Sequence, residues 1–315
     1  MSFSDNKLII VTPVYEDKNA FLILLEELRS NLVEEFSIVV VDDGSVYEPL
    51  TASIFDDFGI HGIVIRLKRN VGHQKAISIG MAYVSQFLTA EHRVVVMDSD
   101  GEDLPSSIPI LLEKADKNNV DVAVAHRKSR VESKAFKFFY AIYKVFFSIM
   151  TGRSISFGNF MVLSSQSVKR LVSMPELPIH IAGSVLASKL RLYKCPLDRG
   201  ARFSGSSKMN FIGLVLHGFK GLMVFAEDVL VRVGLLCGVI AIFSILGAMT
   251  AVVLKIIGFS TPGWFSVALG ILVLIFMQTA ILVLMTLLLT GVVRGKSILV
   301  IEDYKKYIDV VYEIT

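Results

Sequence analysis

Cysteine is scarce in this sequence: its 315 residues include two, Cys195 and Cys237, which lie far apart. Two isolated thiols form neither a disulfide framework nor the paired spacing of a zinc or redox site, and they agree with a cytoplasmic catalytic part. An excess of one charge is also lacking, because 32 basic and 29 acidic residues leave a formal net charge of +3. Without a basic stripe or a stacking motif, this balance argues against a nucleic acid as partner.

Charged residues are absent from two stretches near the C-terminal end, residues 233–254 and 264–290. These stretches account for a mean hydropathy of +0.61, which is high for a purely soluble enzyme. Each exceeds the roughly 20 apolar residues that cross a bilayer core, and a short turn separates them, so the sequence predicts a transmembrane hairpin. A pair of long helices in a soluble core is the alternative, which fits such closely spaced runs less well.

Basic residues flank the outer ends of this predicted hairpin. Arg232 precedes the first run, Arg294 and Lys296 follow the second, and Lys255 lies near the turn. Because positively charged flanks stay on the cytoplasmic side, both termini and the catalytic part are expected in the cytoplasm. The first residues lack the pattern of a cleaved signal peptide, so we expect an integral membrane protein with two spans, in the inner membrane if the source is bacterial.

Short apolar runs rich in β-branched residues alternate with helix-like segments between residues 8 and 127. This alternation predicts an α/β domain with a mostly parallel sheet covered on both faces. In such sheets, ligands bind beyond the carboxyl ends of the strands. The predicted strands are 8–14, 37–45, 62–68, 93–100 and 120–127.

Acidic residues follow the fourth predicted strand, in VVVMDSDGEDLP at 94–105. If the chain stays extended, Asp98 and Asp100 project to the same side, where two carboxylates repel each other unless a cation lies between them. Mg²⁺ or Mn²⁺ is the simple candidate, because it accepts one or two carboxylates and shares its other positions with substrate phosphates. The alternative is a solvated acidic loop, and for Asp103 we expect such a loop or helix-capping role.

Two further strand ends carry polar residues. VVVDDGS at 39–45 places two acids after the second strand, where a carboxylate can accept hydrogen bonds from a base or ribose. TPVYED at 12–17 adds a proline turn, an aromatic ring and an acid after the first strand. Together the three strand ends predict a site for a nucleotide diphosphate.

These segments, with KRNVGHQKAISIGM at 68–81, resemble the inverting nucleotide-sugar glycosyltransferases of family 2, which have a GT-A fold. ARFSGSSKMNF at 201–211, followed by an amphipathic segment and the hairpin, is similar to the subgroup that uses polyprenyl phosphates. The resemblance covers roughly residues 7–290. It implies transfer of a sugar from a nucleotide sugar donor to an undecaprenyl or dolichyl phosphate, with Mg²⁺ or Mn²⁺ as cofactor. Relatives with this hairpin can assemble as tetramers, so a homo-oligomer is compatible with the sequence.

The resemblance also implies roles for single residues. Those expected at the nucleotide are Pro13, Tyr15, Glu16, Asp42 and Asp43. Those expected at the metal are Asp98, Asp100 and Glu102. Those expected to support catalysis are Asp100, through the metal, and the basic residues Arg127, Arg202 and Lys208, which offset phosphate charge. Ser207 is expected in the acceptor pocket. Asn159 and Phe160 lie in a stretch where many relatives carry an acid that this sequence lacks, and we expect them to line the sugar pocket.

Two stretches outside the sheet and the hairpin have amphipathic patterns, 133–150 and 208–228. Each carries aromatic and aliphatic residues on one helical face, which is typical of a helix in the membrane interface; packing against the sheet is the alternative. The predicted organisation is a cytoplasmic catalytic domain over 1–207, a juxtamembrane helix over 208–228, a hairpin over 229–293 with helices at 231–255 and 264–290, and a cytoplasmic tail over 294–315.

Other functions remain open at this point. A processive polysaccharide synthase shares the nucleotide half but typically carries a Q-x-x-R-W motif and more spans, whereas Trp264 lies outside the catalytic part and is expected to anchor the interface. A catalytically idle membrane assembly partner would be indicated by loss of Asp98 or Asp100, and both are present. For His73 we expect capping or packing in preference to ligand binding. The sugar, the choice of UDP or GDP and any general base are not determined.

Overall fold

The computed structural model describes residues 6–127, 134–203, 211–259, 263–295 and 303–313. They divide into two compact units. The first contains the described residues up to Lys144, those from Ser154 to Val224 and the C-terminal strand. The second contains Val145–Arg153 and the long apolar helices that follow Phe225.

The first unit is built on an eight-stranded sheet with the order β7-β5-β6-β4-β1-β2-β3-β8. Neighbouring strands in this sheet are parallel, except that β6 is antiparallel to β4 and β5, and β8 is antiparallel to β3. The predicted α/β class is confirmed, while the sheet is mixed. The strands are β1 (Leu8–Val14), β2 (Phe36–Asp42), β3 (His61–Leu67), β4 (Arg93–Val96), β5 (Val122–Arg127), β6 (Met161–Ser164), β7 (Leu192–Leu197) and β8 (Ile308–Glu313).

Helices connect these strands and form the second unit. Short 3₁₀ turns lie at Ala52–Phe58, Pro105–Ser107 and Asp303–Tyr307. Within the described residues the α-helices are α1 (Lys18–Asn31), α2 (His73–Ser85), α3 (Ile108–Lys117), α4 (Lys134–Thr151), α5 (Ser165–Val172), α6 (Ile181–Ala187), α7 (Phe211–Met223), α8 (Ala226–Ile256) and α9 (Trp264–Gly295).

Both faces of the sheet are covered, as the continuous apolar strands predict. Successive side chains of β1 point to opposite faces, so Ile9 packs in the core with α2, α5 and α6, while Ile10 packs in the core with α1 and α3. Both side chains are fully buried. Because β1 pairs in parallel with both β2 and β4, the carboxyl ends of these three strands lie along one edge of the sheet.

The second unit contains two helices long and apolar enough to cross a membrane, Ala226–Ile256 and Trp264–Leu289. The two long apolar helices of the predicted hairpin are thus confirmed. The first helix starts earlier than expected, because Glu227 and Asp228 form its first turn, where negative charge stabilises a helix N-terminus. The predicted juxtamembrane helix ends at Met223, and after a turn at Val224 and Phe225 the chain continues as α8.

The C-terminal residues, for which the sequence predicted no element, add a strand to the sheet. β8 pairs with β3, and the backbone N–H of Lys68 donates to the Tyr307 carbonyl at 3.0 Å. Ile308 and Val311 pack against one core, and Tyr312 against the other. The chain therefore returns from the apolar helices to the first unit.

Candidate active site

The carboxyl ends of β1, β2 and β4 meet, as the sequence predicts. β1 pairs with β2 through Val14 and Asp42, and its other neighbour is β4. The Ser99 hydroxyl, which lies beyond β4, donates to the Pro13 carbonyl at 2.9 Å. The backbone N–H of Asp43 donates to the Val14 carbonyl at the same distance. Three predicted segments are thus joined into one surface.

Glu16 shapes the loop that follows β2. Its backbone φ of +48° turns the chain sharply after β1, and its carboxylate accepts backbone N–H groups from Val46, Tyr47 and Glu48 at 2.6–3.2 Å. These bonds give Glu16 a structural role next to the site. The ring of Tyr15 beside it is 44% exposed and is available to a ligand.

Asp42 and Asp43 also bind backbone groups. The two oxygens of Asp42 accept N–H groups of Ser45 at 2.9 Å and Leu50 at 3.0 Å, and the residue is fully buried. Asp43 accepts the N–H groups of Val71 and Gly72, at 2.7 and 3.0 Å. Burial raises the pKa of the Asp43 carboxyl despite these two bonds. The structure thus gives Asp42 a fold-building role, and its contact with the nucleotide stays a prediction.

The acidic segment forms a tight loop instead of continuing the strand. β4 ends at Val96, so the extended geometry expected for Asp98 and Asp100 is not found. The carboxylate of Asp103 accepts the backbone N–H of Asp98 at 2.9 Å, which fits the loop role predicted for it. Gly101 has a φ of +88°, a conformation that side chains other than glycine rarely adopt. The acids are therefore presented by a constrained turn.

Two arginines lie against this turn. Nη2 of Arg202 is 2.8 Å from Asp100, its Nε is 3.2 Å from Glu102, and Arg199 pairs with the other oxygen of Glu102. The backbone N–H groups of Gly200 and Phe203 donate to the carbonyls of Glu102 and Asp100, both at 3.0 Å. A Cβ at Gly200 would collide with the Gly101 carbonyl, so the two segments can approach this closely because both positions are glycine.

The charges at Asp100 are not fully balanced. Its pKa is raised, first because the carboxyl is largely buried and second because the charge of Asp98 lies close. Arg202, Arg199 and His73 lower the pKa in part but do not cancel these effects. A further positive charge near Asp98 and Asp100 would stabilise their ionised forms.

A hard divalent cation fits this pair of carboxylates, because Mg²⁺ and Mn²⁺ prefer oxygen ligands and need few from the protein when a substrate supplies phosphates. Across the part of the chain that the structure describes, no three His, Cys, Asp or Glu side chains converge into a ready-made metal site. Glu102, predicted as a third ligand, instead faces Arg199 and Arg202. The fit therefore rests on Asp98 and Asp100.

His73, the first residue of α2, lies on the other side of this pair. Its Nε2 is 3.0 Å from Oδ1 of Asp98 and 3.1 Å from Nδ2 of Asn159. Burial lowers the pKa of the imidazole, but the charges of Asp98, Asp100 and Asp103 outweigh it and the pKa is raised. The sequence had favoured capping or packing for His73, whereas the structure places it at the acidic turn.

The remaining predicted residues fall into two groups. Phe160 is 6% exposed and packs in the core before β6, so its place in a sugar pocket stays a prediction, while Asn159 faces His73. Arg127 ends β5, but its side chain lies outside the described residues, as do Ser207 and Lys208. Arg199 was not predicted; its spacing of three residues from Arg202 was the available signal.

Comparison with known proteins agrees with the fold. Residues 9–162 match the model of "Glycosyl transferase family 2", from β1 into β6. The "uncharacterized glycosyltransferase YkoT" of Bacillus subtilis is 25% identical over 288 residues, 86% of this chain and 83% of that protein. The undecaprenyl-phosphate 4-deoxy-4-formamido-L-arabinose transferase of Salmonella choleraesuis is 25% identical over 260 residues, 79% of this chain and 77% of that protein.

A solved structure shares the fold at low sequence identity. It is glucosyl-3-phosphoglycerate synthase from Mycobacterium tuberculosis in complex with Mn²⁺, UDP-glucose and phosphoglyceric acid. The TM-score is 0.50 at 12% identity, and the match covers 72% of this chain and 80% of that one. This likeness concerns the fold alone.

Proposed function

We propose a reaction for this chain. The chain belongs to glycosyl transferase family 2 and has a GT-A fold, so it is a transferase. It transfers a sugar from a nucleotide diphosphate sugar to the phosphate of a membrane polyprenyl phosphate. The observation that carries this proposal is the combination, in one chain, of a charged turn at the carboxyl end of β4 and two helices long enough to span a membrane. Relatives named as undecaprenyl-phosphate transferases support the choice of acceptor.

The donor's diphosphate is proposed to bind between the acidic turn and the arginines. Asp98 and Asp100 would hold Mg²⁺ or Mn²⁺, and a solved protein of the same fold contains Mn²⁺ together with UDP-glucose. Such a cation, when bound, neutralises charge on the diphosphate leaving group. Arg202, now paired with Asp100, is placed to bind phosphate oxygens with a planar, bidentate group, and Arg127 and Lys208 are proposed to assist it.

The acceptor needs little activation. A phosphate monoester is already an anion at neutral pH, so its oxygen attacks the anomeric carbon while the bond to the diphosphate breaks, which inverts that centre. The protein's task is then to hold two anionic substrates close together, and cationic side chains at the site offset their repulsion. The proposed nucleotide contacts are the exposed ring of Tyr15 and the strand-end backbone around Asp43.

A lipid acceptor also fits the apolar surfaces beyond the sheet. Helix α7 exposes Val215, Leu216, Phe219 and Met223, each more than a third accessible. Exposed apolar side chains on an amphipathic helix are typical of a helix lying in the membrane interface. We propose that α7 lies at the bilayer surface, so that the acceptor's polar head can reach the site while its tail stays in lipid.

The path of the chain supports a membrane topology in which both outer ends of the hairpin lie on the same side. α8 begins directly after the first unit, and the chain returns from α9 to place β8 in the sheet of that same unit. If α8 and α9 span the membrane as a hairpin, both outer ends must lie on the side that holds the sheet. The basic residues Arg232, Arg294 and Lys296 at these ends favour the cytoplasmic side.

The proposal is tested by nucleotide release from the purified full chain in detergent, with a panel of UDP- and GDP-sugars and a short polyprenyl phosphate. We expect one donor to give release that depends on the lipid phosphate and one sugar per lipid. A lengthening glycan would indicate a processive synthase instead. No release with any donor, under conditions where a purified transferase of the same family is active, would contradict a catalytic role.

A further inference from the structure

We infer that a basic patch on the first unit docks onto anionic phospholipid at the membrane surface. The patch is defined by five exposed side chains, Lys68, Arg69, Lys75, Lys305 and Lys306. This inference rests on the membrane setting in the proposed function but not on the proposed reaction. It gives the first unit a contact with the bilayer that is separate from α7 and from the donor site.

The tertiary structure brings the patch together from two distant segments. Nζ of Lys68 donates to the backbone carbonyl of Lys306 at 3.3 Å, across 238 positions of sequence. The backbone N–H of Lys68 donates to the carbonyl of Tyr307 at 3.0 Å. Lys75, on α2, and Lys306 line one cavity of about 210 Å³ between α2 and the C-terminal residues. The loop after β3, the start of α2 and the residues before β8 therefore form one surface.

Acidic side chains do not balance the charge of this surface. Residues 66–75 contain four lysines and arginines and no aspartate or glutamate, while residues 303–309 contain two residues of each sign. Within the described residues, no carboxylate lies within salt-bridge distance of Lys68, Arg69 or Lys75. Cationic groups held together without acids repel one another, so an anionic partner at this surface is favourable.

The patch lies on the same face of the sheet as α7. Tyr304 and Tyr307, beside the two C-terminal lysines, pack on the core that contains residues of α2, α5 and α6. Helix α7 reaches this face too, because the ring of His217 lies 4.6 Å from that of His180, which caps the start of α6. The exposed apolar residues of α7 and the patch therefore belong to one side of the first unit. Apolar and basic surface together are typical of protein faces that bind anionic membranes.

The C-terminal part of the patch is also tethered to a membrane-spanning helix. Asp303 follows Gly295, the last residue of α9, by eight residues, which reach at most about 29 Å when fully extended. Clusters of four to eight lysines and arginines just after such a helix are typical binding surfaces for anionic lipid headgroups. The anionic bilayer surface is therefore the partner that fits both the charge and the position of the patch.

The experiment measures how fast single lysines of the full chain react with an acetylating reagent, by mass spectrometry, in two kinds of lipid nanodisc. One kind contains phosphatidylcholine alone, and the other an equal mixture of phosphatidylcholine and phosphatidylglycerol. Lys68 and Lys75 report on the patch. Lys117 is the internal control, because its side chain is 71% exposed on α3, which packs on the opposite face of the sheet.

Two double variants separate docking by the patch from mere proximity to lipid. Lys305→Gln with Lys306→Gln removes two charges from the patch and leaves both reporter lysines in place. Lys114→Gln with Lys117→Gln removes two charges from α3 and is the matched control. Thermal melting of both variants reports folding.

We expect Lys68 and Lys75 of the wild type to react several-fold more slowly in the anionic discs than in the neutral ones, and Lys117 to react equally in both. Salt at about 1 M should abolish the difference, because it shortens the Debye length to about 3 Å. In anionic discs, the variant without the two C-terminal lysines should recover most of the neutral-disc rate, and the control variant should not.

Equal reaction rates of Lys68 and Lys75 in both discs would overturn the inference. Slow reaction in anionic discs that persists without the two C-terminal lysines would assign the protection to α7 and would also overturn it. Protection of the detergent-solubilised chain by glycerol phosphate, without a bilayer, would contradict it by indicating a site for a soluble anion. The labelling needs neither donor nor acceptor, so its failure is distinct from a failure of the proposed reaction.

Discussion

The acids at the carboxyl edge of the sheet form two groups that differ in what they bind. Glu16, Asp42 and Asp43, which follow β1 and β2, accept backbone N–H groups. Asp100 and Glu102, which follow β4, meet the side chains of two arginines, and Asp98 meets His73; one oxygen of Asp100 also accepts the Glu102 N–H within the turn. Both groups lie at the same edge and have the same chemistry.

The difference separates fold from function. A backbone N–H cannot move away without unfolding its loop, so a carboxylate whose two oxygens both bind such groups is committed to the structure. An arginine side chain can rotate away, so a carboxylate paired with it can exchange that partner for a cation, while the arginine turns to phosphate. We expect changes in the first group to lower stability and changes in the second to lower activity.

The largest effect is expected for Asp100→Asn. It removes a charge from the proposed cation site and should reduce sugar transfer by about a thousandfold or more, since a bound cation supplies several kcal/mol to the transition state. The amide oxygen can still accept the Glu102 N–H, and Arg202, which would face the new NH2 group, can rotate away, so the melting temperature should change little. Initial rates and thermal melting of the detergent-solubilised chain check both expectations.

Asp57→Asn is the matched control, because Asp57 is an exposed acid in the Ala52–Phe58 turn. Its rate should equal that of wild type. Transfer by Asp100→Asn at more than a tenth of the wild-type rate would contradict the functional role of the acids after β4. Wild-type transfer that persists in a chelator would show that the reaction needs no divalent cation.

Asp42→Asn is expected to have the opposite effect. An amide has one acceptor oxygen, so one of the N–H groups of Ser45 and Leu50 would face another donor in a fully buried position. We expect a loss of about 2–3 kcal/mol in stability, and a melting temperature lower by roughly 5–10 °C. Activity per folded molecule should change little, and a large loss of activity at normal stability would reassign Asp42 to the substrate.

His180 extends the comparison to a basic side chain that is bonded to the backbone. Its Nδ1 accepts the Gly183 N–H at 3.0 Å, and its ring lies 4.6 Å from that of His217. Burial, and then the charge of His217, lower the pKa of His180 to about 4. Because the unfolded chain binds this proton near pH 6.5 and the folded chain does not, stability should fall as pH drops from about 6.5 to about 4, by up to about 3 kcal/mol.

His180→Asn tests this pH dependence, because asparagine also caps a helix but does not titrate. The melting temperature of wild type should fall between pH 7 and pH 5 more steeply than that of the variant. Equal slopes would show that His180 does not cause the loss.

The smallest effect is expected for Glu91→Gln. Lys7 and Glu91 pair at 2.8 Å at the opposite end of the sheet, and both side chains are largely exposed. Exposed ion pairs contribute little, because water and salt screen them. Neither the melting temperature nor the transfer rate should change measurably, and a clear change in either would show that ion pairs outside the site also matter.

The sequence predicted the parts of the fold that have strong local patterns. β1 and β2 are continuous β-branched runs, and α8 and α9 lack charge over most of their length. The short strands β6, β7 and β8 were missed, because few residues carry their pattern and their pairing depends on distant strands. β8 is separated from its partner β3 by more than half of the chain.

The site was predictable as a set of strand ends but not as a set of contacts. The sequence does not distinguish a carboxylate that binds a backbone N–H, as Asp42 does, from one that pairs with an arginine, as Glu102 does. Arg199 and Arg202 reach Glu102 through a close approach of two glycines that only the tertiary structure shows. His73 could not be placed for the same reason, because its partners lie after β4 and before β6.

The most direct test of the central claim is a structure of the full chain with Mn²⁺ and the matching nucleoside diphosphate, with the metal located by anomalous scattering or by its density. The account predicts the ion on the carboxylates of Asp98 and Asp100, with Arg202 released from Asp100 and turned to the diphosphate. Arginines still paired with the acids, and the ion and nucleotide bound elsewhere, would contradict it.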